Sequence, residues 1–332
     1  MHALVTGATG FVGGRLVREL VAQGVTVRAL VRPSSDRRAI ADLPVEYRLG
    51  DLCDPQSLAQ AVKETDVLFH VAADYRFWVP NPATMHQANV EGTVALMRAA
   101  LDAGVPRIVY TSSTVTVDCS TARLGTEDDF VTPGECRSTY QLTKVLAEEA
   151  VWELIRQGAP ITILNPSTPI GAGDHRPTPT GQLIVDYLNG RLPAYLNTVL
   201  NWIAVEDVAK GHWLAATKGR TGQRYILGHA NWSLQHMLAM LSDASGQPAP
   251  RIKIPYALAY AAGIGGEVWG RLSGRRPQAA LDGIRMAARP MQYDASKAVQ
   301  ELGMPQTPIR GAVAEAVHWY RAHGYVSKGG IG

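Results

Sequence analysis

The stretch Ala3-Leu4-Val5-Thr6-Gly7-Ala8-Thr9-Gly10-Phe11-Val12-Gly13 decides the fold. A short apolar run suited to a buried strand ends in three glycines spaced three apart, and an amphipathic segment follows over 13–23. Gly7 permits a sharp exit from the strand, Gly10 lets the backbone approach a pyrophosphate, and Gly13 lets the helix pack against the sheet. The free N–H groups at that helix N-terminus then face the phosphates. Thr9, Phe11 and Val12 complete the turn and join Gly7 and Gly10 as cofactor-binding candidates. Three glycines alone are weak evidence, but a strand before and a helix after make this a dinucleotide site.

Outward from this turn, apolar runs at 3–6, 25–31, 45–49, 66–72, 106–111 and 160–165 alternate with helical-period segments at 13–23, 55–64, 84–103 and 138–157. Runs without apolar/polar alternation suit strands buried on both faces, as in a parallel sheet. The class is therefore α/β, a Rossmann-type doubly wound parallel sheet with a smaller C-terminal substrate lobe. The pattern changes at Pro166, where a Pro-, Gly- and Thr-rich segment begins. Residues 1–166 with 201–228 are assigned to the dinucleotide-binding domain, and 167–200 with 229–332 to the substrate lobe. Further helices are expected at 205–217, 233–245, 256–272 and 308–322.

The 332 residues carry 46% apolar and 18% charged side chains, an ordinary globular balance. A formal charge of +3 is too small and too scattered for a nucleic-acid partner. Cys53, Cys119 and Cys136 form no C-x-x-C pair and read as small buried hydrophobes in a reducing compartment. No ligand cluster suggests a metal. The chain opens directly into a strand, without a signal-peptide pattern, so a cytoplasmic location is expected. The longest apolar stretch, Ile254 to Gly266, falls short of the ~20 residues of a membrane span. It reads as a lid helix, a membrane-surface helix or a buried helix, with burial the default.

A second constellation carries chemistry. The run Ile108-Val109-Tyr110 ends in Thr111-Ser112-Ser113, and Tyr140-Gln-Leu-Thr-Lys144 opens a helix further on. Positions four apart share a helix face, so phenol and ammonium point the same way. A phenol near pKa 10 is a poor base at neutral pH, and a neighbouring cation lowers that value. Tyr140 would then exchange a proton with a carbonyl or alcohol oxygen that Ser113 also holds, while Lys144 stabilises the phenolate. A second Y-x-x-x-K match, Tyr293 to Lys297, follows no serine-tipped strand and reads as a decoy, with Asp294 or Ser296 capping a C-terminal helix. At the end of the second strand, NAD sites present an acid and NADP sites an Arg. Here stand Val31-Arg32-Pro33-Ser34-Ser35, with no acid before Asp36. Arg32 and the two hydroxyls favour NADP(H), with NAD(H) possible if Asp36 turns inward.

The T-G-x-x-G opening and the Ser113/Tyr140/Lys144 set resemble the short-chain dehydrogenase/reductase superfamily, and the length resembles its extended branch. The segments Phe69 to Trp78, Asn165 to Gly171, Pro177 to Gly181, Tyr225 to Gly228 and Arg321 to Tyr325 look like the hopanoid-associated sugar epimerases, a family close to the dihydroflavonol 4-reductases. The resemblance implies that Asp51 and Leu52 flank the adenine, that Ala72 and Ala73 line the cofactor, and that Pro166 to Thr168 touch the nicotinamide amide. It also implies that Asn89 steadies the central helix or a water, and that pairing through 84–103 and 138–157 makes a homodimer.

Dehydratases and decarboxylases of this kind place an acid just after the serine-strand Thr, and Thr114-Val115-Thr116 has none. Tyr75, Phe77, Trp78, Tyr187, Tyr195, Trp202, Tyr256 and Tyr260 are candidate walls of an apolar pocket, against a plain packing role. Tyr75, Trp78, Asn89, Asn165 and Trp202 are the substrate-side candidates, and Arg176 and Arg191 the candidate diphosphate cations. Three functions compete. One is a reductase or dehydrogenase acting on a hydrophobic small-molecule ketone or alcohol. The others are a sugar epimerase that retains its cofactor and a non-catalytic NADP sensor.

Overall fold

A computed structural model describes residues 1–120, 122–274, 277 and 280–327. The six apolar runs form β1 (His2–Thr6), β2 (Thr26–Val31), β3 (Glu46–Leu49), β4 (Val67–His70), β5 (Arg107–Thr111) and β6 (Ile161–Pro166). With β10 (Arg224–Leu227) they build one parallel sheet in the order β10-β6-β5-β4-β1-β2-β3. Alternate side chains feed two cores. Ala3 and Val5 of β1 point to the face covered by α1 (Phe11–Ala22) and α7 (Val205–Thr217). Leu4 points to the face under α2 (Pro55–Ala61), α4 (Gly92–Asp102) and α5 (Thr139–Arg156). Burial on both sides is why the inner strands lack alternation, while β3 is a partly exposed edge strand, and the doubly wound sheet expected from the sequence is the fold observed. The order reverses between β1 and β4, which opens a crevice at their C-terminal ends.

Beyond β6, β7 (Thr168–Ile170), β9 (Val199–Ala204) and β11 (Ala230–Ser233) form a three-stranded sheet, and β8 (Ala194–Leu196) pairs with β12 (Ile252–Ile254). Here α6 (Pro179–Leu188), α8 (Leu234–Ser245) and α11 (Ile309–Ala322) enclose a third core around Trp202, Tyr187 and Tyr320. Next come α9 (Tyr256–Ser273) and α10 (Leu281–Ala287), packed on each other. The segment assigned to the lobe at 328–332 lies outside the described residues.

Several expectations change. The single helix at 84–103 is divided into α3 (Pro82–His86), a π-turn over Gln87–Glu91 and α4. One extra residue in a turn leaves the apolar spacing nearly intact, so periodicity does not register it. The helix after Tyr293 is a short π-turn, Ala298–Leu302, separate from the C-terminal helix. The cysteines are not buried hydrophobes: Cys53 is exposed on the loop before α2, and Cys119 and Cys136 are half-exposed. Helix α9 buries only Ala259, Gly263 and Gly270 and turns most of its length outward. Among the described residues no helix is long and apolar enough to cross a membrane.

Candidate active site

At the tip of β1, Gly7 adopts φ +67°, a left-handed conformation that side chains resist. A Cβ on Gly13 would stand 2.1 Å from the Gly7 carbonyl oxygen, so only glycine lets α1 begin this close to the turn. The Thr6 hydroxyl accepts from the Val71 and Ala72 N–H groups and lies 2.8 Å from His70 Nδ1, tying β1 to the loop after β4. His70 Nε2 reaches the Thr93 hydroxyl at 2.9 Å, and burial holds the ring neutral, with a pKa near 3. That bolt has no sequence signature, since a histidine ending an apolar strand is ordinary.

The crevice is a cleft of about 1680 Å³. Its first half is walled by Gly7, Thr9, Gly10, Phe11, Val12, Arg32, Asp51, Leu52, Ala72, Ala73, Pro166 and Thr168, which brings the cofactor candidates together. Ser167, within the Pro166 to Thr168 stretch, joins them; its buried hydroxyl has no partner among the described residues. A glycine cradle that a Cβ would fill and an unmatched hydroxyl in the same cleft fit a nicotinamide dinucleotide. At the end of β2, Arg32 and Ser35 face the cleft, whereas Ser34 does not. Asp36 is engaged by the Arg38 guanidinium at 2.8 Å, which pulls its carboxyl down to about 2. Cys53 also lines this half, its thiol pushed upward chiefly by desolvation and then by Asp51.

Ser113, Tyr140 and Lys144 meet where the two halves of the cleft join. Ser138 caps α5 by accepting from the Gln141 N–H, which puts Tyr140 in the first turn and Lys144 one turn on. The Tyr140 hydroxyl lies beside the Ser113 side chain. Burial raises its pKa and the Ser113 side chain opposes that rise, so the expected depression by Lys144 is not what the geometry provides. The ammonium instead donates to the Thr111 carbonyl at 2.9 Å and the Tyr110 hydroxyl at 3.3 Å. Desolvation lowers Lys144 to about 8, with Glu148 opposing.

Asn89 and Asn165, expected near substrate, stand behind the cleft wall. Asn89 accepts from the Asp74 N–H and donates to the Asp74 carbonyl and the Thr143 hydroxyl, joining the π-turn to α5. Asn165 donates to the Ser113 carbonyl at 3.0 Å, to Thr116 and to Glu148, whose other oxygen accepts from Arg224 at 2.8 Å in a buried ion pair. Both are positioning residues. Glu148 and Arg224 were not singled out, because partners 76 positions apart leave no local pattern.

The second half of the cleft is mostly apolar, with His175, Arg176, Thr180, Gln182 and Thr198 among its polar members. Tyr75, Phe77, Leu183, Leu192, Tyr195, Leu196, Leu200, Trp202, Leu234, Ile254, Leu258 and Met291 line it. Tyr75 is pushed up to about 12 by burial. Phe77 meets the Tyr140 ring edge-on at 6.5 Å between centroids. Trp202 is almost wholly buried, its indole donating to the Trp232 carbonyl, so it contributes only a wall. Trp78 lies outside the lining, Tyr187 is core with its hydroxyl donating to the Gln247 carbonyl, and Tyr256 and Tyr260 flank a separate small hollow. Of the two candidate diphosphate cations, Arg176 faces the cleft while Arg191 is paired with Asp186 at 2.8 Å. The second Y-x-x-x-K match is elsewhere: Tyr293 is buried and Lys297 donates to Gln223. Among the described residues no three His, Cys, Asp or Glu converge as a metal site.

A family model described as NAD dependent epimerase/dehydratase matches residues 3–228. The chain is 46% identical over 328 residues to a putative dihydroflavonol 4-reductase of Synechocystis, spanning 97% of this chain and 95% of the relative. It is 34% identical over 329 residues to sterol demethylase protein B of Methylococcus capsulatus, spanning 98% and 100%. The crystal structure of gox2253 superposes with a TM-score of 0.88 at 44% identity, over 98% of this chain and 99% of that one.

Proposed function

Since the chain belongs to the NAD dependent epimerase/dehydratase family of extended short-chain dehydrogenases/reductases, and is thus an NAD(P)-dependent enzyme, we propose that it exchanges hydride between NADP(H) and a hydrophobic, ring-bearing ketone or alcohol. The single observation that carries the substrate class is the largely apolar half-cleft directly beyond Tyr140, where among the described residues the lining cations are Arg176 and Arg76, the latter paired with Asp74. A nucleoside diphosphate brings at least two negative charges and favours more than one such partner. The relatives named for a dihydroflavonol and a sterol point to the same class.

Gly7, Thr9, Gly10, Phe11 and Val12 hold the pyrophosphate, Asp51 and Leu52 flank the adenine, and Ala72, Ala73, Pro166 and Thr168 border the nicotinamide. When bound, the nicotinamide supplies or accepts the hydride. Tyr140 delivers the proton to the carbonyl oxygen, or takes it in the reverse direction, and Ser113 holds that oxygen. Lys144, fixed on the Thr111 carbonyl, places its positive charge beside the same site. Arg32 favours the 2′-phosphate, because Asp36 is already committed to Arg38. The reading includes a cytoplasmic homodimer paired through α4 and α5, with residues 1–166 and 201–228 as the cofactor domain and 167–200 and 229–332 as the lobe.

The alternative is a sugar epimerase linked to hopanoid synthesis, which the family description keeps in view. A panel of cyclic and aromatic ketones beside several nucleotide sugars separates the two, read by reduced-nicotinamide absorbance and by product chirality. Stoichiometric NADPH consumption with an apolar ketone is the expected result. Sugar inversion without net cofactor consumption would overturn it.

A further inference from the structure

Twelve large apolar side chains are exposed among the described residues, and seven of them fall between 252 and 272. Single exposed hydrophobes are ordinary, whereas a contiguous group marks a surface that meets something other than water. On the 100° wheel of an 18-residue helix, Leu258, Ile264, Val268, Trp269 and Leu272 of α9 fall on one side, and each is between 45 and 84% exposed. The gaps between them are filled by Ala261, Ala262 and Gly265, also exposed. The opposite side holds Ala259, Gly263 and Gly270, with Gly263 against Leu281 and Ile284 of α10. Water therefore faces the apolar side of α9 along about 27 Å, the reverse of an ordinary surface helix.

Charge identifies the occupant. Residues 251–289 contain seven basic and two acidic side chains, in a chain whose whole surplus is only +3. The two acids, Glu267 and Asp282, are paired with Arg271 and Arg285, while Arg251, Lys253 and Arg289 are exposed. An apolar stripe that carries a tryptophan, in a segment with a basic surplus, suits the boundary of an anionic bilayer, where apolar burial and charge attraction act together. The same helix also reaches the cleft, since Leu258 and Ala262 both line it. We propose that the outward face of α9 docks the protein on an anionic phospholipid surface, with the mouth of the substrate cleft opening at that contact. The docking goes beyond the reductase reading and does not depend on it. The ketone panel and the vesicle assay below fail separately.

The test is flotation of the full chain with vesicles of phosphatidylcholine alone or mixed with phosphatidylglycerol. The chain should float with the mixed vesicles, and less in high salt. Val268→Glu/Leu272→Glu, which touches neither the cofactor wall nor the catalytic groups, should lower partitioning about ten-fold or more while NADPH affinity holds. Brominated lipid should quench wild-type fluorescence, and Trp269→Phe should remove most of that quenching; this arm covers failure of the double variant to fold. Absent flotation, undiminished flotation of the double variant, or quenching that survives Trp269→Phe would each overturn the proposal. So would a wild-type oligomer, seen by sedimentation, that the α9 variant dissociates, because a second copy would then cover the stripe.

Discussion

Replacing Asp174 with Asn should stabilise the protein above neutral pH and destabilise it slightly near pH 4. One carboxylate oxygen of Asp174 accepts from the Thr178 N–H, the Thr178 hydroxyl and the Tyr320 hydroxyl, while the other is buried and unmatched. Desolvation outweighs those three bonds and raises the carboxyl from 3.8 to about 6. A folded pKa above the unfolded one means the native state holds a proton that the unfolded chain has released. The protonated form's stabilisation is complete below about 3.8 and is lost as pH rises through about 6. Two units at 1.36 kcal/mol each put that loss at about 3 kcal/mol by pH 7. Asn keeps one accepting oxygen and carries no charge, but its amide donors find no acceptor on the unmatched side, which removes part of the gain. Urea unfolding at pH 8 should therefore show Asp174→Asn about 1–2 kcal/mol more stable, a rise of a few degrees in Tm. The gain should vanish as pH falls from about 6 and give way to a loss of about 1–2 kcal/mol near pH 4, where only the unmatched amide donors count. A variant less stable than wild type at pH 8, or a difference flat across that window, would refute the balance of burial against bonding.

Tyr140→Phe should lower kcat by about 10²–10⁴-fold with NADPH affinity nearly unchanged, because only the proton-carrying oxygen is removed; steady-state turnover above about a tenth of wild type would exclude the role. Tyr293→Phe should leave turnover near wild type. Arg32→Asp should narrow or reverse a preference for NADPH over NADH in fluorescence titrations, and an unchanged ratio would remove Arg32 from the 2′-phosphate site. Glu148→Gln should cost about 3–5 kcal/mol in chemical denaturation, since it leaves the Arg224 guanidinium buried without its counter-ion. A loss under about 1 kcal/mol would show that the charge lies elsewhere.

The parallel sheet and the phosphate turn were readable because both are local. Each buried strand shows its own uninterrupted apolar run, and Gly7, Gly10 and Gly13 stand within seven residues. Helical spacing marks out Tyr140 and Lys144 as the proposed pair, and the serine-tipped β5 sets them apart from Tyr293 and Lys297. Distant pairings were hidden. Asn165 holds Ser113 across 52 positions, so it looked like a substrate contact when it is a strut, whereas Asn89, which holds Asp74 across 15, does the helix-steadying that the resemblance also implied. Shared helix face told where Lys144 points but not what its nitrogen reaches, and the carbonyl at the end of β5 takes it ahead of the phenol. Helix α9 was misjudged for a related reason: its apolar residues run nearly all round, and composition does not say which side a neighbour covers.

The proposed active site is registered along one helix. Tyr140, Lys144 and Glu148 follow one another four apart on α5, and each fastens to a different piece of the sheet edge. Tyr140 meets Ser113, Lys144 the Thr111 carbonyl, and Glu148 joins Thr116, Asn165 and Arg224. Asn165 in turn grips the Ser113 carbonyl, so Ser113, beside Tyr140 in front, is held from behind through the Glu148 network. The two ends are electrically coupled as well. Glu148 opposes the desolvation that lowers Lys144, and without that carboxylate the ammonium would lose its proton at a lower pH still. A side chain two turns from the reacting phenol therefore sets both where Ser113 sits and how far up the pH scale Lys144 stays cationic. For that reason a neutral replacement of Glu148 should narrow the alkaline limb of the activity profile even where the fold survives.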